Sequence, residues 1–308
     1  MLKWSYDDPI TGERLQALAE VSVLTRSIAA FHASLRSSGA RNLVLFPGSH
    51  NELEPDERAC AQLRGRRSIF VYSHLLDSFV QRILPRLDHR FVLISHNSDH
   101  GVDERFRAAL DDARIVHWFA QNAVIRHPKL TPLPIGVANA QWPHGDVAAL
   151  VAAAAAAPAA RRDVVYVNFE VRTNPGVRLP LLRRLEQQPG MWRAPQRPYG
   201  AYLADMATCR WVVSPPGNGV DCHRTWEALY LGVVPIVLRT EWGAALHDGL
   251  PIIQVADLGD LGAALDAPAP AGERSLERVT MGYWRERIAR AAQIDSSAQP
   301  VVAPAQLR

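Results

Sequence analysis

The chain holds three cysteines in 308 residues, Cys60, Cys209 and Cys222. They are too few and too scattered for a disulfide framework or a zinc site. They read as reduced thiols in a cytosolic protein. No apolar stretch approaches the roughly 18 residues a membrane span needs, which excludes a polytopic membrane protein. The opening MLKWSYDDPITGER turns acidic and polar too early for a signal peptide, so a cytoplasmic location is expected. An excess of one charge is missing as well: 34 Lys and Arg against 31 Asp and Glu leave +3. That small surplus is spread along the chain and does not describe a nucleic-acid-binding protein. There is no P-loop, no HExxH helix and no GxSxG elbow. Eleven histidines invite a metal reading, but His96 and His100 lack a third ligand nearby in sequence. Ser49 beside His50 in PGSHNE is no nucleophile–base pair, because adjacent residues on an extended loop do not orient that way.

What is there is an ordinary globular composition, 48% hydrophobic and 21% charged. At about 150 residues per domain the length suggests two domains. Apolar runs recur through the first half: NLVLFPG, SIFVYSH, FVLISHNSD, ARIVHWFAQN and LTPLPIGVAN. Charged segments with spaced apolar residues separate them, the pattern of parallel strands joined by helices. After the alanine-rich residues 148–162 the pattern returns with DVVYVNF, a helix near residues 178–187, RWVVSPPG, a helix from Cys222, VVPIVL and PIIQV. The expected fold is α/β, two Rossmann-like domains facing across a cleft. The expected boundaries are 1–147 for the first domain, 148–162 for a helical connector and 163–274 for the second domain. A helix over 275–295, striped by Leu276, Val279, Tyr283 and Ile288, and a disordered tail over 296–308 complete the plan.

In open parallel sheets ligands sit beyond the carboxyl ends of the strands. The most specific sequence there is SPPGNGVDCHRTWEALYLGVVPIV, residues 214–237. It reads as a strand end, a tight loop through Gly217, Asn218 and Gly219, an N-cap at Asp221, and a helix whose Trp226, Leu229 and Tyr230 face the core. A glycine-containing turn into a helix N-terminus presents backbone N–H groups to an anion. Arg224 lies in the first helical turn, where the macrodipole disfavours a cation and a bound diphosphate would reverse the sign. Glu227, one turn on, is suited to a ribose diol; an Asp221–Arg224–Glu227 surface ion network is the competing reading. A second loop, YVNFEVRTNPGVR, offers Asn168, Arg172, Thr173 and Asn174, with Arg172 or Arg178 able to neutralise a diphosphate. It reads equally as a turn closing on Asn174-Pro175-Gly176.

The Pro/Gly loop, the Arg, then Trp-Glu-Ala-Leu, Gly and Val-Pro-Ile-Val resemble the nucleotide-sugar-binding element of exostosin-like glycosyltransferases, over about residues 166–255. The resemblance implies a GT-B fold and an inverting transfer of sugar from a nucleotide diphosphate, UDP in the first instance, to a carbohydrate or glycolipid acceptor. It places the donor on the C-terminal domain, with Arg224 on the phosphates, Glu227 on the ribose, and His223 beside them. The absence of any Asp-x-Asp pair removes the usual metal grip of the other large transferase fold, so no metal and no cofactor are expected. The first half is then expected to supply acceptor and base. Asp99 is the first choice for the proton acceptor and His96 the second, with Asp99 as a helix cap the alternative. His74, Asn97 and Asn122 are expected to line the acceptor cleft, together with His50, His117 and Trp118. Peripheral membrane contact is compatible with such acceptors. A non-catalytic nucleotide-sugar or glycan-binding protein and a pyruvyl-type transferase on a similar scaffold are the competing functions.

Overall fold

In the computed structural model, which describes residues 5, 7–31, 42–262, 265 and 276–294, two sheets of parallel strands carry the chain. The first contains β1 (Val21–Thr25), β2 (Leu43–Phe46), β3 (Ser68–Tyr72), β4 (Phe91–His96), β5 (Ile115–Gln121) and β6 (Leu130–Leu133). Their order is β2-β1-β3-β4-β5-β6. β1, β3 and β4 are buried along their whole length. Strands covered on both faces read as continuous apolar runs, which is why β3 and β4 stand out in the sequence. β1, VSVLT, is not among the runs expected, because buried Ser22 and Thr25 dilute it.

The second sheet contains β7 (Arg162–Val167), β8 (Met191–Arg193), β9 (Cys209–Val213), β10 (Val234–Leu238) and β11 (Ile253–Val255), ordered β11-β10-β9-β7-β8. Its helices are α6 (Val147–Ala155), α7 (Pro175–Leu185), α8 (Tyr199–Ala207), α9 (His223–Leu231) and α10 (Glu241–His247), after α1 (Gly12–Gln16), α2 (Arg26–Phe31), α3 (Glu57–Leu63), α4 (Leu76–Ser78) and α5 (Arg107–Asp111) in the first sheet's unit. Alternation sorts the side chains. Val165, Val167 and Val213 join Leu181 and Leu185 of α7 in one apolar cluster. Tyr166 and Val212 join Leu203, Met206, Trp226, Leu229 and Tyr230 in the other. A period of two in the strands and three to four in the helices thus gives a sheet packed on both faces.

The residues form two compact units. One is Gly12–Leu133 with the residues from Trp284; the other is Pro134–Tyr283 with the residues up to Thr11. The division falls upstream of the alanine-rich run. Residues 148–162, expected as a connector, supply α6 and lead into β7. Asp146 caps α6, accepting from the Ala149 amide at 3.0 Å. Val147 and Leu150 are buried among the side chains of α8 and α9. The alanines themselves are half-buried or exposed, so Val147 and Leu150 carry the packing of this helix. The opening of the chain belongs to the same unit: the Tyr230 hydroxyl accepts from the Ile10 amide at 2.8 Å and donates to the Val279 carbonyl at 2.6 Å. The final helix, Met281–Ile294, buries Trp284 and Ile288. The expected tail, 296–308, lies outside the described residues. Among the described residues no helix is long and apolar enough to cross a membrane.

Candidate functional site

The order of the second sheet fixes where a ligand fits. From β7 the chain moves outward to β8, and from β9 it moves the other way to β10 and β11. The connections therefore diverge between β7 and β9, and a crevice opens beyond their carboxyl ends. Two loops leave the sheet there, residues 168–174 and residues 214–222.

Arg178 on α7 stitches these loops together. Its side chain, in a residue only 5% exposed, donates to the carbonyls of Glu170 (2.8 Å), Pro215 (2.9 Å) and Pro216 (2.9 Å), and to the Thr173 hydroxyl. Asn174 Nδ2 adds a bond to the Gly217 carbonyl at 3.2 Å. Position 217 must be glycine for this approach, since a Cβ would meet the Arg178 guanidinium at 2.9 Å. Arg178 is thus a clamp on backbone oxygens and is spent there. Burial lowers its pKa, and the nearby Arg224 lowers it further.

The remaining residues of the first loop divide. Asn168 is buried and donates to the Pro195 carbonyl at 3.1 Å, tying the end of β7 to the segment after β8. Arg172 points to solvent and pairs with Glu170 at 3.2 Å. Thr173 caps back onto the Glu170 carbonyl at 2.9 Å. In the second loop the Gly217 amide donates to the Gly219 carbonyl at 3.0 Å, so that N–H is used within the loop; Asn218 is exposed.

At the start of α9 the cap differs from the expected one. Cys222 occupies the N-cap position and makes no side-chain cap bond. Asp221 is buried, and its carboxylate accepts from Trp226 Nε1, the Ile135 amide and the Cys222 amide, each at 2.8 Å. It anchors the helix to the chain entering this unit. The Cys222 thiol, its pKa raised by burial, donates to the Pro215 carbonyl at 3.1 Å. His223 Nδ1 donates to the Gly136 carbonyl at 2.7 Å, since a carbonyl can only accept.

Arg224 is the exception in this ordered site. Its Nε is buried and has no hydrogen-bond partner. Among the described residues no carboxylate forms an ion pair with it. The surface network of Asp221, Arg224 and Glu227 is therefore not the arrangement found. Glu227 is 3% exposed, and its carboxylate accepts from the hydroxyls of Tyr199 (3.2 Å) and Tyr202 (2.9 Å). Burial raises its pKa, while Tyr202, Arg224 and Tyr199 pull it back. The tyrosines stack 6.1 Å apart, and desolvation raises both of their pKa values. They escape a reading of motifs alone, yet Tyr199, Tyr202, Leu203 and Met206 at i, i+3, i+4 and i+7 form a helical stripe that periodicity can find.

Asp221 makes the site pH-sensitive in a predictable direction. Burial lifts its pKa from 3.8 to about 6. Because the folded value lies above the unfolded one, the associated stability is complete below about 4 and is lost as pH rises through about 6. Between about pH 7 and about pH 5 the wild type is expected to gain about 1–1.5 kcal/mol relative to Asp221→Asn, in which the position does not titrate. Urea denaturation of both proteins at the two pH values checks this; a constant difference contradicts it.

The first sheet also gathers polar groups at its strand ends. Past β4, the His96 ring is buried and its Nδ1 accepts the Asn97 amide at 2.8 Å, so that lone pair is occupied. Asn97 and Asn122, past β4 and β5, both have left-handed backbones (φ 66° and 51°). Asn97 Nδ2 donates to Gln16 at 3.2 Å, and Asn122 Nδ2 to the Asp99 carbonyl at 3.2 Å. Asp99 is exposed, and its carboxylate makes no hydrogen bond or ion pair among the described residues. The turn is closed by Ser98, and the following helical turn is capped by Asp103. The His74 ring stacks on His50 at 5.0 Å and meets His100 edge-on at 6.4 Å. Ser73 Oγ, and Nε2 of Gln16, whose Oε1 accepts from Tyr72 and Asn97, are buried without a hydrogen-bond partner among the described residues. His117 and Trp118 do not join this cluster. They lie within β5, where His117 Nε2 contacts Thr131 and Trp118 Nε1 donates to Ser95. Among the described residues no three His, Cys, Asp or Glu side chains are grouped to hold a metal ion.

A cavity of about 270 Å³ lies beside the candidate site, lined by Asn168, Phe169, Glu170, Arg193 and Gln196 among others. No protein-family model matches the chain, and no curated protein does. Among solved structures the chain is similar to one titled "Crystal Structure Analysis of the Glycotransferase of kitacinnamycin". That similarity has 15% identity, covers 91% of this chain and 89% of the other, and has a TM-score of 0.39. At that score the two chains are not shown to share a fold.

Proposed function

We propose that the protein is a glycosyltransferase of the GT-B type that moves a sugar from a nucleoside diphosphate to a carbohydrate acceptor with inversion. The observation that carries this reading is Arg224: a buried guanidinium Nε without a partner, in the first turn of α9, with a second buried guanidinium nearby. A cation in the first turn of a helix, at the divergence point of a parallel sheet, suits a diphosphate, and the charge of Arg178 behind the loop adds to the positive potential there. The cavity lined by Asn168 and Phe169 takes the base. In the ribose contact assigned to Glu227, the carboxylate would use its remaining lone pairs, since Tyr199 and Tyr202 each take only one per oxygen.

In the proposed reaction Asp99 removes the proton from an acceptor hydroxyl and that oxygen attacks the anomeric carbon. The bond from that carbon to the diphosphate breaks as the new one forms. The electron pair leaves on the diphosphate, where Arg224 balances the developing charge. With arginine in this role, activity is expected to survive chelation. Complete loss in EDTA, restored by Mg²⁺ or Mn²⁺, contradicts that expectation. The parent reading is tested by thermal shift across nucleoside diphosphates and their sugars. A ligand at about 100 times its Kd stabilises the folded state by about 2.7 kcal/mol. Binding with neither transfer nor donor hydrolysis would assign the protein instead as a nucleotide-sugar-binding protein.

A further inference from the structure

Trp142 is the most exposed of the large apolar side chains among the described residues, at 45%. A tryptophan left open to water is ordinary when isolated, but this one is part of a built ledge. Its indole lies nearly parallel to the His144 imidazole, 19° between planes and 6.4 Å between centroids. His144 in turn meets the His223 ring at 6.0 Å. His223 is the residue before Arg224, and its own ring is fixed by the Gly136 carbonyl. Aromatic surface therefore runs without a break from solvent to the first turn of α9, within one unit.

The loop that presents Trp142 is locked. The Trp142 amide donates to the Asn139 carbonyl at 3.0 Å, and the Gly145 amide to the Trp142 carbonyl at 2.9 Å. Gly145 cannot carry a side chain, because a Cβ would lie 2.0 Å from the Asn139 carbonyl oxygen. Asp146 then caps α6. A loop held in this way loses little backbone freedom when a ligand covers the ring it carries.

We infer that the Trp142–His144 ledge is the subsite for the hexopyranosyl group of the nucleotide-sugar donor. A pyranose has an apolar C–H face rimmed by hydroxyls. The ledge has an apolar face rimmed by ring nitrogens, which gives the same polarity pattern. The base has a more enclosed place in the cavity at the ends of β7 and β8. That leaves the open ledge, reached through His223 from the diphosphate site, to the group on the other side of the diphosphate. The inference rests on the proposed donor-binding function.

Calorimetry of wild type, Trp142→Ala and Trp142→Phe, with UDP, GDP, UDP-glucose, UDP-N-acetylglucosamine and GDP-mannose, tests it. The expected result is a loss of about 5–30-fold in sugar-nucleotide affinity for Trp142→Ala. Affinity for the parent diphosphate should stay within about twofold, Trp142→Phe should keep most of the sugar increment, and melting temperatures should be unchanged. Equal weakening of diphosphate and sugar-nucleotide overturns the inference by placing the base on the ledge. Unchanged sugar-nucleotide affinity overturns it while the donor-binding function stands. If the wild type binds no probe, the donor-binding function fails and the ledge assignment falls with it.

Discussion

Asp99→Asn should lower turnover by about 10²–10⁴-fold while leaving nucleoside-diphosphate affinity within about twofold. The substitution keeps the size of the side chain and removes its ability to take a proton. Its structural cost is small. Asp99 is exposed and uses only its main-chain carbonyl, which accepts from Asn122, while Ser98 and Asp103 close the turn and cap the next segment. A fall in rate at unchanged melting temperature is then a chemical effect. His96, the other candidate, accepts the Asn97 amide on Nδ1 and has that lone pair occupied. Steady-state kinetics with matched stability measurements decide. Near-normal turnover in Asp99→Asn removes Asp99 from the mechanism.

Arg178→Met should destabilise the protein by about 2–4 kcal/mol and weaken diphosphate binding as well. Hydrogen bonds from a charged donor are each worth about 1.5–3 kcal/mol, and Arg178 makes four to loop oxygens. Part of that is offset because a buried cation no longer has to be desolvated. Methionine fills much of the volume, so the loss reports the bonds. Arg178→Lys should recover less than half, since one ammonium cannot reach carbonyls spread over residues 170–216. Urea titration gives the stability and calorimetry the binding. An unchanged denaturation midpoint would show that the loops hold themselves without the clamp.

Legibility followed the apolar composition of the strands. β3, β4, β7 and β9 are strands whose apolar runs announce a covered parallel sheet, and both sheets can be read from them. β1 is hidden by Ser22 and Thr25, and β8 by its three-residue length. Without them the strand orders, and so the divergence point between β7 and β9, cannot be derived. Residues 214–227 are recognisable because a glycine turn, an arginine and an apolar helix follow one another locally. The roles of Asp221, Arg178 and the two tyrosines each include a partner 25 to 86 positions away, which no local pattern encodes. The alanine-rich run shows its helix through propensity, but not the unit it packs in, which Val147 and Leu150 decide rather than the alanines.

The central claim is that the half-buried Arg224, whose Nε is buried without a hydrogen-bond partner, awaits an anion. Isothermal titration of wild type and Arg224→Ala with nucleoside diphosphates tests it most directly. Because Arg224 makes no hydrogen bond or ion pair among the described residues and touches Glu227 only through its charge, its removal should change the melting temperature little. Loss of a charge-assisted contact of about 1.5–3 kcal/mol should raise the Kd by about 10–150-fold. Equal affinities in the two proteins would contradict the assignment.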